Sequence, residues 1–151
     1  MLLDAPCSSE RHLIHKLSEL SNWSSGRSKA NAERQLSLLV AAFRLCRTGG
    51  RVVYSTCSLS NLENDGVVAK AMKKFNKAAS SGAGGRGGRR DDGDDDGGDD
   101  DSDDAEMVVY PLNESNMPFG EKTEFGWHIL PDRAEGWGPI YLCAFDKVFK
   151  S

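Results

Sequence analysis

Two cysteines stand where a nucleophile would be placed. Leu2 opens the run LLDAPCSSERH and Arg51 opens RVVYSTCSL, each a short apolar stretch that delivers a thiol, Cys7 or Cys57. The thiolate is the attacking form of cysteine, so the chemistry suggested is covalent catalysis with two thiols at one site. Asp4 sits inside the first run, where a buried carboxylate is costly unless it is hydrogen-bonded. It reads as a ligand contact or a satisfied structural cap, and its neighbours favour the ligand contact. Pro6, just before Cys7, stiffens the turn.

The elements that must position these groups follow from the spacing. Both apolar runs have the length of buried strands, and a helical pattern lies between them, which is the signature of a strand, a crossover helix and a parallel strand. In open α/β sheets ligands bind beyond the carboxyl ends of the strands, so Cys7 and Cys57 are expected on the same rim. The stretch from His12 to Lys29 is Ser-rich and reads as loop with a short helical turn. From Asn31, read as an N-cap, residues Ala32, Leu36, Leu39, Val40, Phe43 and Cys46 recur at helical spacing until Gly49 and Gly50 stop the pattern. Ser60 and Glu63 fit a capping box, predicting a helix to about Ala78 with Val67, Val68, Ala71, Met72 and Phe75 on its buried side. Cys57 would then feel the positive end of that helix, which lowers a thiol pKa.

Of the other cysteines, Cys46 lies on a helical apolar stripe and Cys143 in the strand-like run from Pro139 to Phe149, so both read as packing residues. Runs from Met107 to Leu112 and from Gly126 to Leu130 are also β-prone, and Asp132 to Gly138 reads as a hairpin connection that makes the last two strands antiparallel. The cysteines lack the close pairs of a zinc site, and His12 and His15 have no third ligand nearby, so no metal is expected. Trp23, Trp127 and Trp137 read as packing residues before base-stacking ones. A phosphatase loop is excluded because Leu13 and Glu63 stand where its arginine would be.

The chain has 151 residues, 19 basic and 23 acidic. Ten Asp and three Arg fall in the Gly-rich stretch 80–105, which cannot bury enough apolar surface to order itself, and the remainder carries a net charge of +3. The domain reading is therefore a catalytic portion at 1–79, a disordered acidic insert at 80–105 with a basic protein partner, and the last strands of the same domain at 106–151. With no signal peptide and no run near the roughly 18 apolar residues of a membrane span, the expectation is a reduced, soluble, intracellular protein.

DAPCSS from Asp4 and YSTCS from Tyr54, followed by SLSNLEND and closed by GPIYLCAFDK, are together similar to the motifs of the Sun (RsmB-like) family of RNA cytosine-5 methyltransferases. The SSERH continuation resembles the branch acting on organellar ribosomal or transfer RNA. The resemblance implies an α/β fold of the Rossmann-like class I methyltransferase type, its second half, with a mostly parallel sheet and a C-terminal antiparallel hairpin. It implies S-adenosylmethionine as methyl donor, rRNA or tRNA as substrate, and a mitochondrion or plastid, otherwise nucleus or cytoplasm, as the compartment. It also implies roles: Cys57 adds to C6 of the cytosine, Cys7 assists loss of the C5 proton and release of product, and Asp4 contacts the base and lies near the donor. Pro6 and Arg11 are expected beside the substrate, and Lys16, Arg27 and Lys29 are further candidates for phosphate contact.

The donor-binding half of such a fold would lie before Met1, and GAGGRGG from Gly82 does not replace its glycine turn, since no strand precedes it. The expectation is a longer natural protein, with the 151-residue piece poorly soluble alone. The alternative is a non-catalytic RNA-binding or interaction fragment without a donor site.

Overall fold

A computed structural model describes residues 1–16, 18, 24–76 and 105–150. Strand β1 (Leu2–Asp4) runs parallel to β2 (Arg51–Thr56), with Asp4 opposite Ser55. Between them lie helices α1 (Glu10–His15) and α2 (Ser25–Leu45). Of the expected loop from His12 to Lys29, the described residues 12–15 and 25–29 are helical. Ser24, in extended conformation, is the true N-cap of α2, its Oγ accepting the Arg27 N–H at 3.4 Å, so the chain is already helical when it reaches Asn31. After α2 the chain turns on Gly49, whose φ of 75° suits glycine, and the Gly50 N–H donates to the Arg47 carbonyl at 2.9 Å.

Strand β6 (Ile140–Phe149) pairs antiparallel with β2 from Arg51 opposite Asp146 to Thr56 opposite Tyr141. Its other edge is shared by β5 (Trp127–Ile129) near its start and β3 (Ala105–Val109) towards its end. Strand β4 (Gly120–Lys122), which the sequence pattern missed because Gly-Glu-Lys carries no apolar alternation, pairs with β5. The sheet order is β1-β2-β6-β5-β4. The α/β class and the closing antiparallel hairpin hold. Parallel pairing, expected to dominate, is confined among the described residues to β1 and β2. The reason is the direction of β6, which runs against all three of its neighbours, β2, β3 and β5, so each ladder it makes is antiparallel. Ala105, placed with the insert on composition, is the first residue of β3. Residues 80–104 and Trp23 lie outside the described residues.

Helices α2 and α3 (Asp65–Asn76) cover one face of the sheet. Val67, Val68, Ala71 and Phe75 of α3 are buried there as expected, and Phe75 meets Phe43 of α2 with ring centroids 4.3 Å apart. The core continues through Tyr54 of β2 and Tyr141 and Phe145 of β6, each worth about 1.5–3 kcal/mol of burial. Cys46 and Cys143 are both buried, and burial pushes the Cys143 thiol up to about 12. The nearly buried Lys147 donates from Nζ to the Arg44 carbonyl at 3.1 Å, a cation at the negative end of α2. Asn76 exchanges two 3.1 Å hydrogen bonds with the backbone of Met107, so a side-chain amide locks the end of α3 to β3.

Candidate active site

Because β1 and β2 are parallel neighbours in register, the residues after their carboxyl ends meet. The Sγ atoms of Cys7 and Cys57 are 2.7 Å apart, and the Cys57 N–H donates to the Cys7 sulfur at 3.3 Å. The expected common rim is therefore present. The Cys7 thiol is lowered to about 6, first by the hydrogen bond from the Cys57 thiol, against burial, with help from the backbone N–H groups of Cys57 and Ser9. Cys57 is raised, first because its proton is held by Cys7 and then by burial. The pair titrates as a unit, and the Cys57 N–H aimed at the Cys7 sulfur favours Cys7 as the sulfur that holds the first negative charge.

This corrects the electrostatics expected of Cys57. The capping box does not form: the Ser60 hydroxyl makes no cap bond, a 3-10 turn (Asn61–Glu63) intervenes, and α3 starts only at Asp65. Cys57 thus precedes α3 by eight positions instead of abutting its first turn, and its thiol is raised where the expectation had it lowered. Asp4, expected to be buried, is exposed on the edge strand β1, and its Oδ1 accepts the Ser55 hydroxyl at 3.2 Å. It opens onto a cleft of about 800 Å³ whose walls include Arg11, His12, Thr56, Cys57 and Ile140. Arg11 thus joins Asp4 and Cys57 at one opening. Pro6 stands beside the site with its carbonyl taken by Gln35, while Lys16, Arg27 and Lys29 do not line the cleft. Trp127 is buried and donates from Nε1 to the Leu112 carbonyl at 3.3 Å, whereas Trp137 is exposed. Among the described residues no group of three His, Cys, Asp or Glu side chains is placed to hold a metal ion.

Sequence reasoning missed the polar groups behind the thiols. The carboxylate of the buried Glu63 accepts the Ser8 N–H and a Gln35 Nε2–H, both at 2.9 Å. Ser8 and Ser58, each following a cysteine, share a 3.1 Å hydrogen bond. Asn64 accepts the Thr56 hydroxyl at 2.6 Å and donates to the Ser58 carbonyl at 2.8 Å, so it brackets Cys57. Behind it, Asp65 accepts the Tyr141 hydroxyl at 2.6 Å, the Thr123 hydroxyl at 3.0 Å and the backbone N–H groups of Glu124 and Phe125. The signal was a polar residue on an apolar face: Gln35 falls between Ala32 and Leu39 on the buried stripe of α2.

A family model described as 16S rRNA methyltransferase RsmB/F matches residues 1–119. The chain belongs to the RsmB/F methyltransferase family. This RsmB/F chain is 45% identical over 78 residues to the ribosomal RNA small subunit methyltransferase F of Shewanella sediminis, covering 52% of this chain and 16% of that protein. The corresponding protein of Erwinia tasmaniensis is 40% identical over 78 residues, with the same shares. The RsmB/F chain thus aligns with about a sixth of the length of these relatives. Among solved structures, NSun6 from Pyrococcus horikoshii with SFG superposes with a TM-score of 0.59 at 21% identity, over 99% of this chain and 30% of that one. A methyltransferase homolog protein from the same organism gives 0.59 at 20%, over 98% and 38%. These likenesses establish the Rossmann-like α/β fold.

Proposed function

We propose that this chain carries the thiol half of an RNA cytosine-5 methyltransferase that uses S-adenosylmethionine, and that rRNA is the substrate. The observation that carries this reading is the meeting of Cys7 and Cys57, their sulfurs 2.7 Å apart, where Cys57 and the exposed Asp4 carboxylate line one cleft. Residues 1–79 and 106–151 act as one catalytic domain interrupted by the acidic segment. The names of the relatives favour rRNA over tRNA, and an RNA substrate calls for an intracellular enzyme. Among the described residues no helix is long and apolar enough to cross a membrane.

The chemistry follows from the resting pair. The Cys57 proton passes along the existing hydrogen bond to the Cys7 sulfur, and the Cys57 thiolate adds to C6 of the cytosine, which moves electron density to N3 and C5. Asp4 lines the cleft, where its carboxylate can hold the base edge while N3 takes a proton from water and returns it to water when the C5–C6 double bond re-forms. Cys7, whose thiol is lowered to about 6, gives its acquired proton to solvent and is again a thiolate. It then removes the C5 proton, the C5–C6 double bond re-forms, the C6–S bond breaks and Cys57 leaves as thiolate.

When bound, the donor supplies the electrophilic methyl group that C5 takes up before that proton is lost. Among the described residues the exposed Asp4 carboxylate accepts only the Ser55 hydroxyl, which leaves it acceptor capacity toward the donor as well as the base. The remaining donor contacts are assigned to the rest of the protein, since the chain covers 16% of the first relative. The target base must leave its stack to reach the thiols, so single-stranded or flipped RNA is the expected form. Arg11 on the cleft wall is placed for a backbone phosphate.

The test is made in the full-length protein with rRNA and labelled donor. Cys57→Ala should lower methyl transfer by about 10³-fold or more. Cys7→Ala should accumulate a protein–RNA adduct stable to denaturing electrophoresis, mapping to Cys57. Transfer that survives Cys57→Ala, or an adduct mapping to Cys7, would overturn the assignment.

A further inference from the structure

We propose that Glu63 is a positioning residue that sets the approach of the Cys7 sulfur to the Cys57 sulfur. The proposal rests on the reading that both thiols act on one substrate. It begins from a cost. Glu63 is fully buried, its Oε1 has no hydrogen-bond partner, and its carboxylate contacts no basic side chain among the described residues. An unpaired buried carboxylate costs several kcal/mol, and an apolar side chain of similar size would fill the space more cheaply. Packing alone does not account for an acid there.

What the carboxylate does is hold one loop against the other. Oε2 accepts the N–H of Ser8, the residue after Cys7, at 2.9 Å. It also accepts Gln35 Nε2 at 2.9 Å, and that same nitrogen donates to the carbonyl of Pro6, the residue before Cys7, at 2.8 Å. Both neighbours of Cys7 are therefore gripped by one carboxylate–amide unit. The other end of the grip is on the Cys57 side. The Glu63 carbonyl accepts the hydroxyl of Tyr54 at 2.7 Å, and Tyr54 lies on β2, the strand that leads into Cys57. Side chain and main chain of one residue thus tie the Cys7 loop to the Cys57 strand. The consequence at the sulfurs is the short contact and the Cys57 N–H donated to Cys7.

The experiment reads the thiol pair directly, without RNA or methyl donor. Phenylarsine oxide bridges two thiols only when they are close together, so its affinity for the reduced protein reports their approach. Glu63→Gln keeps an acceptor for Ser8 and should retain capture. Glu63→Ala should weaken capture by about tenfold or more, while each thiol is still alkylated singly and unfolding remains cooperative. The pH midpoint of Cys7 alkylation should rise in Glu63→Ala and hold in Glu63→Gln. Should Glu63→Ala fail to fold, Gln35→Met removes the shared amide at similar size and should weaken capture in the same direction. Unchanged capture in a folded Glu63→Ala or Gln35→Met protein overturns the proposal, as does equal loss in Glu63→Gln. Normal capture in a protein that forms no RNA adduct would overturn the methyl-transfer reading instead.

Discussion

Asn64 donates from Nδ2 to His128 Nε2 at 2.8 Å, which ties the turn behind Cys57 to strand β5. The same amide holds Thr56 and Ser58 on either side of Cys57. Asn64→Ala removes the acceptor of the Thr56 hydroxyl and the side-chain donor to the Ser58 carbonyl, and frees the loop. Methyl transfer should fall by about 10- to 100-fold in kcat with KM for RNA little changed, because the group lost orients the nucleophile rather than binding substrate. Steady-state kinetics of the full-length protein separate the two constants.

The thiol pair gives a pH signature. Because the Cys7 thiol is lowered to about 6, it is a thiolate at neutral pH, and its alkylation rate should rise through pH 6 and level off above it. The hydrogen bond from Cys57 is the largest cause, so Cys57→Ala should move the midpoint upward, towards the roughly 8.5 of an ordinary thiol. Mass spectrometry of iodoacetamide-labelled peptides across a pH series measures it. A midpoint unmoved by Cys57→Ala would contradict the coupling.

Asp65 should matter to stability more than any other single carboxylate described. Asp65→Ala strips the acceptor from the buried Tyr141 hydroxyl, the Thr123 hydroxyl and two backbone N–H groups at once. The loss should be about 3 kcal/mol, since each buried donor left unpaired carries its own desolvation cost. The urea midpoint should drop at unchanged slope.

Gly126 admits no side chain. A Cβ there would run into the Leu142 carbonyl, which is backbone, and into the Tyr141 ring. Gly126→Ala must push β5 away from β6, and the expected result is a destabilisation of several kcal/mol or loss of soluble protein. Gly49→Ala is the control: open space surrounds that position, and the cost should stay near that of a residue at positive φ, about 1 kcal/mol. Thermal melts of the two variants compare them directly.

The sequence carried the parts of the fold whose signal is local and apolar. The run ending at Cys57, the apolar faces of α2 and α3, and the two-sided strand β6 were legible because burial imposes their pattern, whereas the run ending at Cys7 showed only its apolar residue types, since β1 leaves Leu2 and Asp4 exposed. Strand β4 and the first turns of α2 were not, since their sequences are polar and their conformations depend on partners or on a single serine hydroxyl. The meeting of the thiols could be inferred from strand order. Which sulfur bears the charge could not, because it depends on a 2.7 Å contact between residues fifty positions apart. Glu63 was misread as a cap for the same reason: its partners, Ser8 and Gln35, are distant in sequence and invisible to a local motif.

The central place of β6 has a temporal side. Strand β2, which leads into Cys57, has β1 on one edge and β6 on the other, and its β6 partners lie between Tyr141 and Asp146. Such long-range pairings close late, since the whole intervening chain must be gathered first. A polypeptide emerging from the ribosome can carry both thiols before residues 140–149 follow to complete the cleft. Pairing of β1 with β2 can bring the sulfurs together at that stage, but the cleft is walled only once β6 delivers Ile140 and Leu142, so a growing chain carries its thiols before it has a place to seat a base.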